Sequence, residues 1–141
     1  MFVVAVNTGL RPGELYALTE EDIDWKNNVI HVKRTLLYQK LEGDECKTFH
    51  LGPPKTETSN RTVWLPKTVA ELLVQYQKDQ KELQEFLGDA YNNYNLVIAL
   101  ENGNPVESRI VRDRFQKLCE QNGYEKSCFP QSASFIHRIQ I

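Results

Sequence analysis

The amphipathic segment that runs from residue 66 to residue 88 is the feature that most constrains the fold of this 141-residue chain. Its apolar residues recur every three or four positions, which is the spacing of one face of an α-helix. The stripe consists of Val69, Leu72, Leu73, Tyr76, Leu83, Phe86 and Leu87. Gly88 follows the last of them and favours a helix end. The pattern predicts one long helix with a buried apolar face.

Shorter helices are predicted on both sides of this segment. "MFVVAVN" at the start is typical of the end of a buried helix, and it has no capping residue before it, which suggests that the natural chain began further upstream. Pro12 suits the first turn of a short helix "PGELYAL", and "TEED" at 19–22 has the form of a helix start. A second amphipathic helix is predicted in "ESRIVRDRFQKLCEQNG". Its expected buried residues are Ile110, Val111, Phe115, Leu118 and Cys119.

Strands are predicted between the short and the long helices. "NVIHVKRTLLY" begins with alternating apolar and polar residues, "CKTFHL" can pair back after a turn at 42–45, and "RTVWL" supplies another strand. "NLVIAL" fits a short buried strand or extended piece. We therefore expect one domain of mixed class (α+β), mainly α, with a small antiparallel β-sheet of two or three strands.

Charge gives no global argument for a nucleic-acid partner, because the formal net charge is −2. Lys and Arg outnumber Asp and Glu by 8 to 4 in residues 26–67 and by 6 to 3 in residues 108–141. These two basic segments could meet a polyanion if they share a face, and the alternative is solvated faces of mixed sign. No apolar run approaches the roughly 20 residues of a membrane span. Three cysteines without CxxC spacing suggest neither disulfides nor a zinc site, so a cytoplasmic protein is expected.

Arg11, in "TGLRPGELYAL", is the first candidate for chemistry. Its guanidinium matches the oxygens of a phosphate, and the turn and helix start would hold it close to backbone amides that favour anions. Glu14 lies three residues later, on the same helical face, where it can orient the arginine. The alternative is a purely structural ion pair at a helix start.

Lys55 is the second candidate, in the loop "GPPKTETSNRTVWLP". A lysine at a hairpin tip can donate a proton to a leaving oxygen or contact a phosphate. Arg61 adds a second cation, and Thr56 can hydrogen-bond to phosphates; the alternative is a solvated basic hairpin. His137 is the third candidate, although a lone histidine near a chain end is usually a surface residue. The three histidines show no metal-ligand spacing.

Three motifs taken together resemble the catalytic domain of tyrosine recombinases, the phage and transposon integrase family. They are "TGLRPGELYALTEEDIDW", "PKTETSNRTVWLP" and "NGNPVESRIVRDRF". The similarity is greatest to integrases of Gram-positive conjugative transposons and phages, and it covers roughly residues 1–125. It implies an incomplete catalytic-core fold, with residues 126–141 as a divergent or truncated tail of a partial catalytic domain that spans 1–141.

The resemblance implies a reaction and a role for each candidate. A tyrosine hydroxyl attacks a DNA phosphate and forms a 3′-phosphotyrosyl link, without a metal or a nucleotide cofactor. Arg11 would clamp the scissile phosphate, Glu14 would steady the site, and Lys55 would protonate the departing 5′ oxygen. The partner would be double-stranded DNA at attachment sites, with contacts from Arg61, Thr56 and Lys33.

The end of the sequence departs from the family pattern. His137 fits the expected His-x-x-Arg motif, but Gln140 stands where the second arginine belongs; alternatively, this tail is divergent or frame-shifted and His137 matches nothing. The nucleophile is expected still later, so none of the six tyrosines is assigned to that role. They are Tyr16, Tyr38, Tyr76, Tyr91, Tyr94 and Tyr124. We therefore expect a fragment, cut at both ends, that is inactive and monomeric by itself, whereas the complete family protein acts as a tetramer on DNA.

Two alternatives from other classes stay open at this point. One is a non-catalytic DNA-binding remnant of an integrase, which would touch phosphates through the basic hairpin. The other is a helical interaction domain without a DNA role, which the low net charge permits.

Overall fold

The computed structural model describes residues 1–53 and 60–123. The described residues contain four α-helices: α1 (Phe2–Thr8), α2 (Pro12–Tyr16), α3 (Lys67–Leu87) and α4 (Ser108–Gln121). Short 3-10 turns cover Glu20–Asp22 and Gly88–Ala90. All four predicted helices are confirmed, and "TEED" starts a single 3-10 turn rather than an α-helix. Pro12 occupies the first turn of α2, and Gly88 ends α3.

Five strands in the described residues form two antiparallel sheets. They are β1 (Ile23–Asp24), β2 (Val29–Val32), β3 (Thr35–Gln39), β4 (Thr48–Gly52) and β5 (Arg61–Trp64). One sheet has the order β1-β2-β5, and the other is the hairpin β3-β4. The predicted single strand at 28–38 is therefore two strands, interrupted at Lys33 and Arg34. The chain changes partners there, since Val32 pairs with Arg61 and Thr35 pairs with Gly52. The mixed helix-and-sheet class is confirmed.

The core lies around the segment from Leu10 to Leu18, whose helix α2 packs against β3 and α4. The most deeply buried apolar side chains are Leu10, Leu15, Tyr16, Ile30, Val32, Leu65, Val69 and Val97. The predicted extended piece at residues 95–100 is confirmed: Val97 N–H donates to the carbonyl of Leu18 at 2.8 Å, and Leu96 forms an isolated bridge with Thr19. The residues that hold Arg11 therefore stand on the best-packed part of the chain.

The apolar stripes of α3 and α4 are buried only in part. Val69 and Leu73 of α3 and Val111 of α4 are buried. The exposed members are Leu72, Tyr76 and Phe86 of α3, and Ile110 and Leu118 of α4. The expectation of full burial is wrong for these five, because periodicity identifies residues that share a face without saying whether a partner covers it. No helix in the described part of the chain is long and apolar enough to cross a membrane.

Candidate DNA phosphate site

Arg11 lies at the start of α2, directly after the tight turn that ends α1. Gly9 has φ 65°, a left-handed conformation that glycine adopts without a steric penalty, and its N–H donates to the carbonyl of Ala5 at 2.9 Å. Arg11 is extended, with φ −67° and ψ 150°, and Pro12 takes the first helical position. The Arg11 side chain is 65% exposed. The turn thus fixes the backbone of Arg11 while most of its side chain faces solvent.

Glu14 points its carboxylate back towards Arg11 from inside the protein. Its side chain is only 3% exposed, and a carboxylate buried to this degree requires strong polar partners. The backbone N–H of Arg11 donates to Glu14 Oε2 at 2.9 Å, and Arg11 Nη1 lies 3.6 Å from Glu14 Oε1. Glu14 therefore holds both the backbone and the side chain of the arginine.

Arg61 completes this group from the first position of β5. Its Nη1 donates to Glu14 Oε1 and its Nη2 donates to Glu14 Oε2, each at 2.9 Å, so the two side chains form a bidentate pair. Arg61 is opposite Val32 in the sheet register. The ion pair between Arg61 and Glu14 connects β5 to α2 across 47 residues of sequence. We call Arg11, Glu14 and Arg61 the Glu14 cluster.

The pKa values show which charge state the Glu14 cluster favours. Burial alone raises the pKa of Glu14, but the hydrogen bonds from Arg61 and from the Arg11 N–H, with the charges of both arginines, outweigh burial and hold it below its usual value. The hydrogen bond to Glu14 in turn raises the pKa of Arg61. With Glu14 ionised and both arginines charged, the cluster carries one net positive charge. It is suited to bind an anion.

A second buried carboxylate, Asp22, lies at the end of the 3-10 turn and is 2% exposed. Its Oδ2 accepts hydrogen bonds from Thr19 N–H at 3.1 Å, Thr19 Oγ1 at 2.9 Å and Arg34 Nη2 at 2.7 Å. Lys33 Nζ lies 3.6 Å from Oδ1, which is itself buried without a hydrogen-bond partner among the described residues. Burial raises the pKa of Asp22, but the hydrogen bonds from Thr19 and Arg34 outweigh burial and hold the pKa below its usual value. We call Thr19, Asp22, Lys33 and Arg34 the Asp22 cluster.

Gly13 explains how α2 and β3 come together between the two clusters. A Cβ atom at Gly13 would stand 2.5 Å from Thr35 Oγ1 and 3.3 Å from the carbonyl oxygen of Leu36. A larger residue would therefore collide with the start of β3. Gly13 is adjacent to Glu14 in the chain and Thr35 follows Arg34, so this contact joins the segments that carry one residue of each cluster.

The predicted site residues fall into two groups. The structure brings Arg11, Glu14 and Arg61 together, and it places Lys33 in the Asp22 cluster. Lys55, Thr56 and His137 lie outside the described residues, so their assigned roles stay predictions. Within residues 1–53 and 60–123, no group of three or more His, Cys, Asp and Glu side chains is placed to hold a metal ion.

Sequence reasoning missed Asp22 and Arg34. The Thr19-x-x-Asp22 spacing was noticed only as a helix start, and the Lys33–Arg34 pair was placed inside a continuous strand. No local signal in the sequence identifies this cluster, because Arg34 lies 15 residues from Thr19 and 12 from Asp22.

Comparisons with curated proteins find several recombinases. A tyrosine recombinase XerC-like protein of Caldanaerobacter subterraneus subsp. tengcongensis is 28% identical over 130 residues, which are 87% of this chain and 33% of that protein. The ICEBs1 integrase of Bacillus subtilis is 29% identical over 121 residues, which are 86% of this chain and 31% of that protein. The chain thus spans about one third of the length of these relatives.

Solved structures with the same fold include an integrase of the Tn1549 transposon in complex with transposon right end DNA. Its TM-score is 0.66 at 22% identity, over 97% of this chain and 42% of that one. The XerA recombinase has a TM-score of 0.54 at 17% identity, over 90% of this chain and 36% of that one. A sequence model of the phage integrase family was also compared with the chain. It matches residues 1–133, and the chain accordingly belongs to the phage integrase family.

Proposed function

We propose that this chain supplies the phosphate-binding part of the catalytic site of a site-specific DNA recombinase, or integrase. One observation carries the proposal: the side chain of Arg11 is largely exposed, while its backbone N–H is fixed by a hydrogen bond to the buried, ionised carboxylate of Glu14. An arginine held in this way meets an anion with little loss of side-chain freedom. The Tn1549 integrase, which shares this fold, was solved in complex with DNA, and this supports double-stranded DNA as the partner.

The proposed reaction is the attack of a tyrosine hydroxyl on a DNA phosphate. A bond forms between the tyrosine oxygen and phosphorus, the bond from phosphorus to the 5′ oxygen breaks, and the product is a 3′-phosphotyrosyl link. Arg11 neutralises the charge that develops on the phosphate oxygens in the transition state. We assign to Lys55 the proton that the departing 5′ oxygen takes up, and to His137 a second contact with the reacting phosphate.

The nucleophilic tyrosine is proposed to lie outside this 141-residue sequence. Tyr16 is buried, burial raises the pKa of its hydroxyl to about 12, and that hydroxyl contacts Met1 Sδ at 3.2 Å. The hydroxyl of Tyr76 donates to the carbonyl of Ala99 at 2.9 Å. Neither group is placed to attack a phosphate held by Arg11. We further propose that the fragment is a cytoplasmic monomer and that the complete protein acts as a tetramer on DNA.

DNA binding by the 141-residue chain tests the proposal. We expect a fluorescently labelled duplex to bind with an affinity that falls as salt rises, because bound cations displace counterions from phosphates. Arg11→Gln should lower the affinity about tenfold and reduce the salt slope by about 1. Lys78→Gln is the control of equal charge change, since Lys78 lines a groove with Trp25 and Asn28 at the opposite end of β2. Equal binding by both variants would contradict the proposed role of Arg11.

A covalent assay separates the recombinase from the alternative, a non-catalytic DNA-binding remnant of an integrase. Denaturing electrophoresis should show no protein–DNA adduct with the 141-residue chain. A longer chain, translated from the DNA that flanks this reading frame, should form an adduct that Arg11→Gln abolishes. DNA binding without an adduct by the longer chain would instead support the remnant.

A further inference from the structure

Arg34 lies at the point where the chain passes from one sheet to the other, next to the Glu14 cluster. Two positions before it, Val32 pairs with Arg61, and one position after it, Thr35 packs under Gly13. Because consecutive Cα atoms are about 3.8 Å apart and paired ones about 5 Å, the Cα atoms of Arg34 and Arg61 lie within roughly 13 Å. The backbone of Arg34 is thus close to the strand that carries Arg61, the partner of Glu14.

The guanidinium of Arg34 is held along one edge only. Its Nη2 donates to Thr19 Oγ1 at 2.8 Å and to Asp22 Oδ2 at 2.7 Å. Its Nε is buried and has no hydrogen-bond partner among the described residues. The side chain is nevertheless 34% exposed. Nη1 is therefore the nitrogen that can meet a group arriving from solvent.

We propose that Arg34 is a second phosphate-contacting residue of this surface, which uses Nη1 to bind a DNA phosphate beside the one held by Arg11. The inference deepens the proposed function and rests on it. Asp22 and Thr19 position the guanidinium, as Glu14 positions Arg11. The two clusters then form a pair of anchored cations, each on a buried carboxylate, on adjacent elements of the fold.

The charge around Arg34 is compatible with an anionic ligand. Lys33 Nζ lies 3.6 Å from the free oxygen of Asp22 and its side chain is 52% exposed, so the Asp22 cluster carries one net positive charge. Glu20 and Glu21 lie between Thr19 and Asp22 and are exposed, and the Glu20 carboxylate is 4.0 Å from Lys81 Nζ on α3. That ion pair draws the negative charge of Glu20 towards α3.

The geometry favours arginine over lysine at position 34. Arginine has separate nitrogens for the protein and for the ligand, whereas a lysine ammonium that reaches Asp22 has no second nitrogen to offer. A contribution from diffuse positive charge alone would be served equally well by either residue. Comparing Arg34→Lys with Arg34→Gln therefore distinguishes a direct contact from a general electrostatic field.

The test measures DNA affinity of the 141-residue chain as a function of salt for both variants, with Lys78→Gln as the control of equal charge change to Arg34→Gln. Arg34→Gln should lower the affinity about tenfold and reduce the salt slope by about 1. Arg34→Lys should lower the affinity nearly as much, although the charge is kept. Thermal melting of each variant, without DNA, establishes that the fold is retained.

Each other outcome overturns a definite statement. Wild-type binding by Arg34→Lys would show that only diffuse charge matters, and the contact would be rejected. A lower melting temperature with an unchanged salt slope would make Arg34 a structural brace between the 3-10 turn and β3. Loss of binding in Arg11→Gln with none in the Arg34 variants would reject this inference and keep the proposed function. Absence of salt-dependent DNA binding by the wild type would reject both.

Discussion

The Glu14 cluster and the Asp22 cluster each stabilise a buried carboxylate with an arginine, but they differ in how the carboxylate oxygens are used. In each, a carboxylate at the third position of a helical turn accepts the N–H of the residue that begins the turn, and also binds an arginine from a later part of the chain. Glu14 uses both oxygens for hydrogen bonds to the Arg61 fork. Asp22 concentrates three hydrogen bonds on Oδ2, whereas Oδ1 accepts none from the described residues and lies 3.6 Å from Lys33 Nζ.

The difference shows what each carboxylate contributes. Glu14 binds the Arg61 fork with both oxygens, accepts the backbone N–H of Arg11, and lies 3.6 Å from the Arg11 guanidinium, whose side chain is 65% exposed. Because Asp22 holds Arg34 by a single nitrogen, the rest of that guanidinium stays available instead. In the Glu14 cluster, the more exposed arginine is Arg11, which begins the helix. In the Asp22 cluster, the partly exposed arginine is Arg34, which is hydrogen-bonded to the carboxylate.

The largest expected effect comes from replacing Glu14 by its amide, and the same change at Asp22 is the comparison. In Glu14→Gln the amide nitrogen must replace an oxygen that accepts from Arg61, so two donors face each other; we expect a loss of about 2–3 kcal/mol in the free energy of unfolding. In Asp22→Asn the amide nitrogen can take the place of Oδ1, which accepts no hydrogen bond, and the loss should be about 1 kcal/mol. Urea denaturation measures both.

Lys78→Gln should change the free energy of unfolding by less than about 0.5 kcal/mol in the same experiment. Equal losses for Glu14→Gln and Asp22→Asn would contradict the asymmetry between the two carboxylates.

A smaller effect is expected at Gly13, where the two clusters meet. Gly13→Ala places a Cβ 2.5 Å from Thr35 Oγ1 and should destabilise the protein by about 1–2 kcal/mol. Thr35→Ala removes the nearer of the two colliding atoms, so the double variant should recover part of this loss. Urea denaturation of the four proteins in this cycle gives the coupling energy. Additive losses would show that α2 and β3 do not depend on this contact.

The smallest effect is expected in the acid dependence of stability. The pKa values of Glu14 and Asp22 are both lowered by folding from ordinary values of 4.5 and 3.8. Their contribution is therefore complete above these values and is lost as pH falls through the lowered ones. Glu14→Gln and Asp22→Asn should each lose less stability than the wild type between neutral pH and pH of about 3. Melting temperatures that decrease equally with pH for all three proteins would be inconsistent with these pKa shifts.

The local structure of the chain followed closely from the sequence. Pro12, Gly88 and the apolar spacing predicted the starts, ends and faces of the helices, since these signals act within one or two turns of chain. The three-residue spacing of Arg11 and Glu14 likewise predicted their proximity. What failed were inferences about partners: Leu72, Phe86 and Leu118 were expected to be buried, and one strand was expected where the chain forms two.

The roles of the cations illustrate the same limit. Arg61 was predicted as a DNA contact of a basic hairpin, and the structure pairs its guanidinium with Glu14; a direct contact of Arg61 with DNA stays a prediction. Arg34 received no role from the sequence, because Thr19 and Asp22 lie 15 and 12 residues away from it. No local pattern records a pairing over that distance.

By itself, the sequence determined the helices, the mixed class, the turn at Gly9 and the placement of Arg11 ahead of an acidic residue. These depend on backbone conformation and on side chains within a few residues, where composition and spacing decide. Only the tertiary structure decided which arginine each buried carboxylate binds and which guanidinium is left facing solvent. That choice depends on how β2, β3 and β5 are brought to the two helical turns, because a buried charge takes the partner that the packed fold places within hydrogen-bonding distance.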